Sequence, residues 1–147
     1  MSEMKAAYSG EIQVRFADTD ANGHMYFANY LVLADEVAGE YWKRLGWDYG
    51  CLHDLPALTF TVNTNIDFIS ECLAGDMLSV GVAITRIGRS SLTMSFEISN
   101  QRNGLLSATG TFTTVFVDKV TRSSISIPES FRIAACQAQP ELGDAGG

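Results

Sequence analysis

Apolar residues recur at every second position in several stretches of this 147-residue chain, and at every third or fourth in one. From Glu11 to Phe16, Ile12, Val14 and Phe16 alternate with Gln13 and Arg15, which predicts a first strand. Further along, Leu58, Phe60, Val62, Ile66 and Phe68 face one way, with Thr59, Thr61, Asn63, Asn65 and Asp67 opposite. Leu78, Val80, Val82 and Ile84 repeat the pattern, as do Leu92, Met94, Phe96 and Ile98, and then Leu106, Ala108, Phe112 and Phe116. Alternation on one side of successive strands predicts an antiparallel sheet with one face on a core. Asn103-Gly104 marks a hairpin turn, and Gly88-Arg89-Ser90 breaks the chain between two of the strands.

The helical period appears between the first two strands. Tyr30, Leu33, Ala34, Val37, Ala38, Tyr41 and Leu45 share one face, while Asp35, Glu36, Glu40, Lys43 and Arg44 fill much of the other. Gly46 is placed to end this helix, the only long one expected. Pro128 opens a short helical segment, ESFRIAAC, and the closing QAQPELGDAGG has no period. The expected order is β-α-β-β-β-β, an α+β class with one helix covering one sheet. Residues 1–136 are expected to form a single domain and 137–147 a loose tail.

Composition narrows the class. Apolar residues make up 46% and charged residues 18%, which excludes both a disordered chain and a membrane protein. The opening MSEMKAAYSGE lacks the apolar stretch of a secretory signal, so a cytoplasmic location is expected. Cys51, Cys72 and Cys136 are odd in number and widely spaced, which favours buried free thiols over disulfides or a zinc site. A net charge of -7 argues against nucleic acid as a partner. Residues 1–85 nevertheless hold 4 basic and 12 acidic groups, whereas residues 86–132 hold 6 basic and 3 acidic. The cationic stretch suits the phosphates of a nucleotide-bearing ligand as well as an ordinary solvated surface.

The chemistry concentrates in Val14 to Tyr30, VRFADTDANGHMYFANY. Two carboxylates, a histidine, a glycine and two asparagines sit between a strand and an apolar helix, where backbone donors and an acid can be aimed at a ligand. Gly23 lets the chain turn into the helix. On composition alone DTDANG also suits a turn or helix cap.

This segment resembles the N-terminal signature of hotdog-fold acyl-CoA thioesterases of the 4-hydroxybenzoyl-CoA thioesterase type. The likeness spans roughly Gly10 to Phe131, and the element order agrees with it. It implies a five-stranded antiparallel sheet wrapped around one long central helix, and hydrolysis of an acyl-CoA to a free acid and coenzyme A. In ADTDANGH, Asp20 matches the family's catalytic aspartate, acting as nucleophile or general base. The oxyanion donor falls among Tyr26, Phe27 and Ala28, with the Phe27 amide the best match, and Gly23, Tyr26 and Tyr30 shape the acyl site. Asp18 carries no catalytic role, and Asn29 caps or steadies the helix start. His24 is positional, because some relatives place a histidine where Phe27 stands here. His53 is a surface residue. Asp35 or Glu36 is the runner-up acid, since some hotdog thioesterases draw it from this helix, with a solvated face the plainer reading of Glu36.

A second likeness is TRIGRSSL, Thr85 to Leu92, where Ile87, Gly88, Arg89 and Ser90 would contact the pantetheine and phosphates of coenzyme A. FVDKVTRSSISIPESF resembles the family's closing segment. No cofactor or metal is implied, coenzyme A being part of the substrate. The resemblance implies edge-to-edge subunits, a homodimer at least, with a homotetramer the larger assembly. Three functions stay open: a thioesterase, an acyl-CoA binding or sensing module without turnover, and a hotdog dehydratase, whose histidine pattern neither His24 nor His53 fits. GRSS lacks the spacing of a serine-hydrolase elbow. The aromatic residues suit an aryl or a fatty acyl group equally.

Overall fold

The computed structural model describes residues 4–145. Five strands, β1 (Tyr8–Gln13), β2 (Leu58–Phe68), β3 (Met77–Ile87), β4 (Ser91–Asn100) and β5 (Leu106–Val117), form one antiparallel sheet in the order β1-β3-β4-β5-β2. It curls about a single 18-residue helix, α1 (Phe27–Arg44). Two short helices, α2 (Glu129–Ala138) and α3 (Glu141–Ala145), follow β5. This is the α+β, hotdog architecture that the pattern and the resemblance anticipate. No helix among the described residues is long and apolar enough to cross a membrane.

Helix α1 buries Tyr30, Leu33, Ala34, Val37, Ala38, Tyr41 and Trp42 against the inward positions of β3 and β4. Each such large side chain contributes about 1.5–3 kcal/mol by leaving water. Gly46, at φ +89°, turns the chain away after the last turn. Along β4, Leu92, Met94, Phe96 and Ile98 are buried, with Ser91, Thr93, Ser95, Glu97 and Ser99 on the outer face. Gly110 on β5 sits opposite Phe96 and Ile66, and a methyl group there would lie 2.5 Å from the Phe96 ring and collide with the Asn65 carbonyl. The Phe96 ring occupies the space that a side chain at position 110 would need.

Four local expectations are corrected. The first strand runs from Tyr8 to Gln13, not Glu11 to Phe16; Phe16 opens a 3₁₀ turn, Phe16–Asp18, and points to solvent. In β2, Thr61 pairs with Thr114 and Asn63 with Thr113, so Val62 is an extra, bulged residue. The bulge inverts the phase of the strand. Ile66 and Phe68 lie opposite the inward Gly110 and Ala108, whereas Thr59 and Thr61, rather than Leu58 and Phe60, take the inward positions opposite Phe116 and Thr114.

The tail expected to be loose is docked as far as it is described. β1 pairs with β3 only as far as Val82, leaving the N–H and C=O of Ile84 without a strand partner on that side. The Gln139 amide completes the edge: its Oε1 accepts from Ile84 N at 2.9 Å and its Nε2 donates to Ile84 O at 2.9 Å. Tyr41 donates to the same Oε1 at 2.8 Å, and Leu142 joins the core. Residues 146–147 of the tail lie outside the described residues. Of the three free thiols only Cys72 is buried; Cys136 is half-buried, and Cys51 is exposed because it lies in a surface 3₁₀ stretch, Tyr49–Asp54, with His53.

Candidate active site

The segment between β1 and α1 is fixed at both ends to the turn that precedes β3. Val14 N donates to Asp76 O at 2.9 Å, Gly75 N to Val14 O at 2.7 Å, and Met25 N to Cys72 O at 2.7 Å. Between these ties, Asp18 is the anchor. Its carboxylate, only 4% exposed, accepts from the backbone N–H of Arg15 (2.9 Å) and from the Arg15 guanidinium at 3.1 and 2.8 Å. The hydrogen-bonded Arg15 guanidinium holds this carboxyl below the usual range, against the upward pull of burial. The Asp18 carbonyl then accepts from Tyr26 N and from the Asn29 amide, each at 2.9 Å, fixing the start of α1. Asp18 thus builds the junction, and Asn29 steadies the helix start.

Asp20 heads a closed loop. Its N–H donates to His24 O at 3.0 Å, its carbonyl accepts from Gly23 N at 3.0 Å, and its Oδ1 accepts from Asn22 N at 2.8 Å. Gly23, at φ +82°, makes this return with a conformation that other residues adopt only under strain. Asp20 is half-buried, and its Oδ2 has no hydrogen bond among the described residues. His24 donates from Nδ1 to the Met25 carbonyl at 3.1 Å, which orients the ring.

Phe27 is the first residue of α1, so its N–H belongs to the turn whose donors have no helical acceptor. Its ring is 60% exposed and stands edge-on to Phe68 at 6.3 Å, with Tyr30 against the same ring at 5.2 Å. These three, with His24, Met25, Ile69, Ser70 and Glu71, line a cavity of about 240 Å³. Burial, with Cys72 beside it, pushes the Tyr30 phenol well above its ordinary pKa. Phe27 and Tyr30 are therefore gathered at the helix start. Asp20, Gly23 and Tyr26 do not line this cavity; Tyr26 precedes the helix and packs against Phe27 at 4.7 Å.

The second group of sequence candidates lies elsewhere. Ile87, Gly88, Arg89 and Ser90 form the hairpin at the far end of β3, an 11-residue strand whose other end, Met77, adjoins the junction. That separation is roughly 33 Å within one chain. The hairpin is bound to the closing segment: Ile127 N donates to Arg89 O (2.7 Å), Arg89 Nη1 to Ser126 Oγ (3.0 Å) and Arg132 Nη2 to Gly88 O (2.6 Å).

A larger cavity, about 390 Å³, opens between α1 and β2. Asp35, Ala38, Gly39 and Trp42 line it from the helix, and Thr59, Thr61, Thr114, Met94 and Phe112 from the sheet, with Tyr49 at its margin. Partial burial, reinforced by the charge of Glu36, pushes the Asp35 carboxyl above its ordinary range. The alternating pattern sets Thr59 and Thr61 on the face opposite Leu58 and Phe60, because nothing in it marks Val62 as the extra residue.

This fold and junction define a hotdog thioesterase-like protein. The thioesterase-like superfamily model matches residues 14–135, and the chain belongs to that family, a class of thioester hydrolases. It is similar to the acyl-CoA thioesterase YbgC of Haemophilus influenzae, 27% identical over 128 residues covering 86% of this chain and 93% of that one. It is also similar to a 1,4-dihydroxy-2-naphthoyl-CoA hydrolase of Synechocystis, 29% identical over 133 residues covering 88% of this chain and 94% of the relative. Among solved structures, Slr0204, a 1,4-dihydroxy-2-naphthoyl-CoA thioesterase from Synechocystis, superposes with a TM-score of 0.80 at 25% identity, covering 88% and 95% of the two chains.

Proposed function

We propose that this chain is an acyl-CoA thioesterase, and that the closed loop joining Asp20 to the first turn of α1 carries the reaction. The carbonyl oxygen of the thioester accepts a hydrogen bond from the Phe27 N–H, at the positive end of the helix dipole. Asp20 then attacks the carbonyl carbon, giving a mixed anhydride that water opens to the free acid and the restored carboxylate, or takes a proton from the water that attacks. The bond to sulfur breaks with its electron pair leaving on coenzyme A thiolate, which needs no acid to depart. One carboxylate and one oxyanion donor are sufficient for that sequence.

Two protomers complete the site in this reading. β2 is an edge strand, and Val62 and Phe68 in it, with Ile69 just beyond its end, each at least 50% exposed, give this edge an apolar character that lone edges rarely keep. Antiparallel pairing of β2 with its copy, centred on the middle of the strand, sets the Leu58 end of one protomer beside the Phe68 end of the other. The Leu58 end is also the end that carries Ile87–Ser90, since Leu58 pairs with Val117 and Ser91 with Val115. The pairing therefore brings the partner's Arg89 hairpin toward the Asp20 junction, closing the distance of roughly 33 Å that separates them in one chain. The Arg89 guanidinium then serves the phosphates of coenzyme A.

Release of free thiol from a panel of benzoyl, short-chain and long-chain CoA thioesters tests the activity. The expected result is turnover of at least one class by a dimeric or tetrameric protein. Tight binding without thiol release would make the protein a sensing module, and a stable, active monomer in sedimentation would contradict the shared site.

A further inference from the structure

We infer that Arg102 is a positioning residue: acting through Asp76, it holds both ends of the loop that carries Asp20. This rests on the thioesterase reading and names a distant residue on which that site depends. Arg102 lies in the turn between β4 and β5. Its guanidinium grips the Asp76 carboxylate with two nitrogens, Nε to Oδ1 at 2.7 Å and Nη2 to Oδ2 at 3.2 Å. A planar fork fixes a carboxylate in angle as well as in distance. Asn100 ties the pair together, donating from Nδ2 to Asp76 Oδ2 at 2.7 Å and accepting from Arg102 N at 3.0 Å.

Asp76 in its turn closes the bend that precedes β3. Its Oδ2 accepts from Leu73 N at 2.7 Å, and its own N–H donates to Leu73 O at 3.0 Å. From this closed bend come the three backbone bonds that hold the Asp20 loop. Asp76 O and Gly75 N bind Val14 at the start of the loop, and Cys72 O binds Met25 N at its end. Val14 and Met25 are themselves buried, so a shift of the bend carries both ends with it.

The placement of charge points the same way. Two side-chain ion pairs form among the described residues, Arg15–Asp18 and Arg102–Asp76, and both brace this one segment. In each the carboxylate is buried and the guanidinium reaches solvent. A buried carboxylate loses hydration that its partner only about offsets, so such a pair fixes geometry more than it stabilises. Arg102 lines neither of the two cavities beside the helix, and its influence on turnover therefore passes through the loop.

The test compares Arg102→Ala and Arg102→Lys with the wild type, well below their melting temperatures, on the fastest of benzoyl-, hexanoyl- and palmitoyl-CoA. Arg102→Ala is expected to lower kcat about tenfold or more and to change KM less than about twofold, since a displacement of about 1 Å can cost about 10²-fold. Arg102→Lys keeps the charge without the fork and is expected to fall between. The Arg102 side chain is 45% exposed, so the space it leaves is open to solvent. Free guanidinium, far below denaturing concentrations, is therefore expected to restore part of kcat in Arg102→Ala, which a mere loss of stability would not allow. Undiminished kcat in folded Arg102→Ala overturns the inference.

Amide hydrogen exchange supplies an arm that needs no substrate. In Arg102→Ala, or in Arg102→Lys should the first not fold, the Val14, Gly75 and Met25 amides are expected to exchange about tenfold faster, and those of Phe96 and Ile98 in β4 to change less. If all of them quicken together, or kcat falls only in step with the folded fraction, Arg102 serves the fold alone and the inference is overturned. If the wild type cleaves no thioester but exchange quickens only at Val14, Gly75 and Met25, the thioesterase reading fails and the positioning role stands.

Discussion

Asn29 donates its side-chain amide to the carbonyl oxygen of Asp18 at 2.9 Å, across 11 residues and alongside the Tyr26 N–H, which reaches the same oxygen at 2.9 Å. One carbonyl, carried by a residue whose own carboxylate is bound to Arg15, thereby fixes both the last residue before α1 and its first turn. The helix start is positioned by this contact as much as by packing.

Asn29→Ala should therefore affect turnover more than folding. Loss of one hydrogen bond costs about 1 kcal/mol of stability. A first turn that drifts misplaces the oxyanion donor, and kcat should fall about tenfold or more with a smaller change in KM. Thermal unfolding beside steady-state kinetics checks the split; equal, small losses in both would show that the contact does not position the donor.

Asp76 holds the opposite wall of the junction. It accepts from Leu73 N (2.7 Å), Asn100 Nδ2 (2.7 Å) and the Arg102 guanidinium (2.7 and 3.2 Å). Burial raises its carboxyl, but these donors outweigh burial and leave it below the ordinary range, as Arg15 does for Asp18. A lowered folded-state pKa stabilises the fold above the ordinary carboxylate value of about 3.9, and the contribution is lost as pH falls through the folded value. Asp76→Ala should cost about 3 kcal/mol near neutrality, and its deficit relative to the wild type should shrink below about pH 4. Urea unfolding at several pH values would show this; a constant deficit down to pH 2 would not fit.

Asp35 has the opposite sign. Its carboxyl is raised by partial burial and by Glu36, so the folded state holds the proton more tightly than the unfolded chain does. Below the unfolded value both states are protonated and nothing is lost; as pH rises through that value and on to the folded one, stability falls. Asp35→Asn should therefore be at least as stable as the wild type at pH 7, with its advantage disappearing toward pH 3–4. Melting temperatures across that range decide it, and a variant less stable than the wild type at pH 7 would contradict the account.

Gly110→Ala tests the sheet. Its methyl group would meet the Phe96 ring and the Asn65 carbonyl, and the backbone cannot yield as a long side chain would. A loss of about 1–3 kcal/mol or more is expected, measured by denaturant midpoint. A neutral effect would mean that β2 and β5 separate there at little cost.

Much of this molecule was legible in its pattern. The 3.6-residue period from Tyr30 to Leu45 marked α1 because a buried helical face must be apolar throughout, and the two-residue period found β3, β4 and β5 for the same reason. The misreadings share a cause: they depend on backbone geometry that leaves no periodic trace. One extra residue at Val62 exchanges the faces of Leu58 and Phe60 with those of Thr59 and Thr61, so the pattern sets a wall of the larger cavity on the wrong face. Gln139 reads as a tail residue until the unpaired edge at Ile84 is known. Around Asp20, the asparagines, Gly23 and the two aspartates mark a polar junction that turns into the helix, whereas the hydrogen bonds that close it on His24 and Gly23 are visible only in the structure. The distance from that loop to the Arg89 hairpin could not be seen, because sequence order does not show which end of the sheet a turn occupies.

The central claim is that the Asp20 carboxylate acts on a thioester whose carbonyl is held by the start of α1. Replacing Asp20 by Asn keeps the Asx turn to Asn22 and removes the charge. Thiol release under single-turnover conditions should then fall by about 10²- to 10⁴-fold, with the melting temperature and the assembly state unchanged. Release at the wild-type rate from that variant would contradict the account.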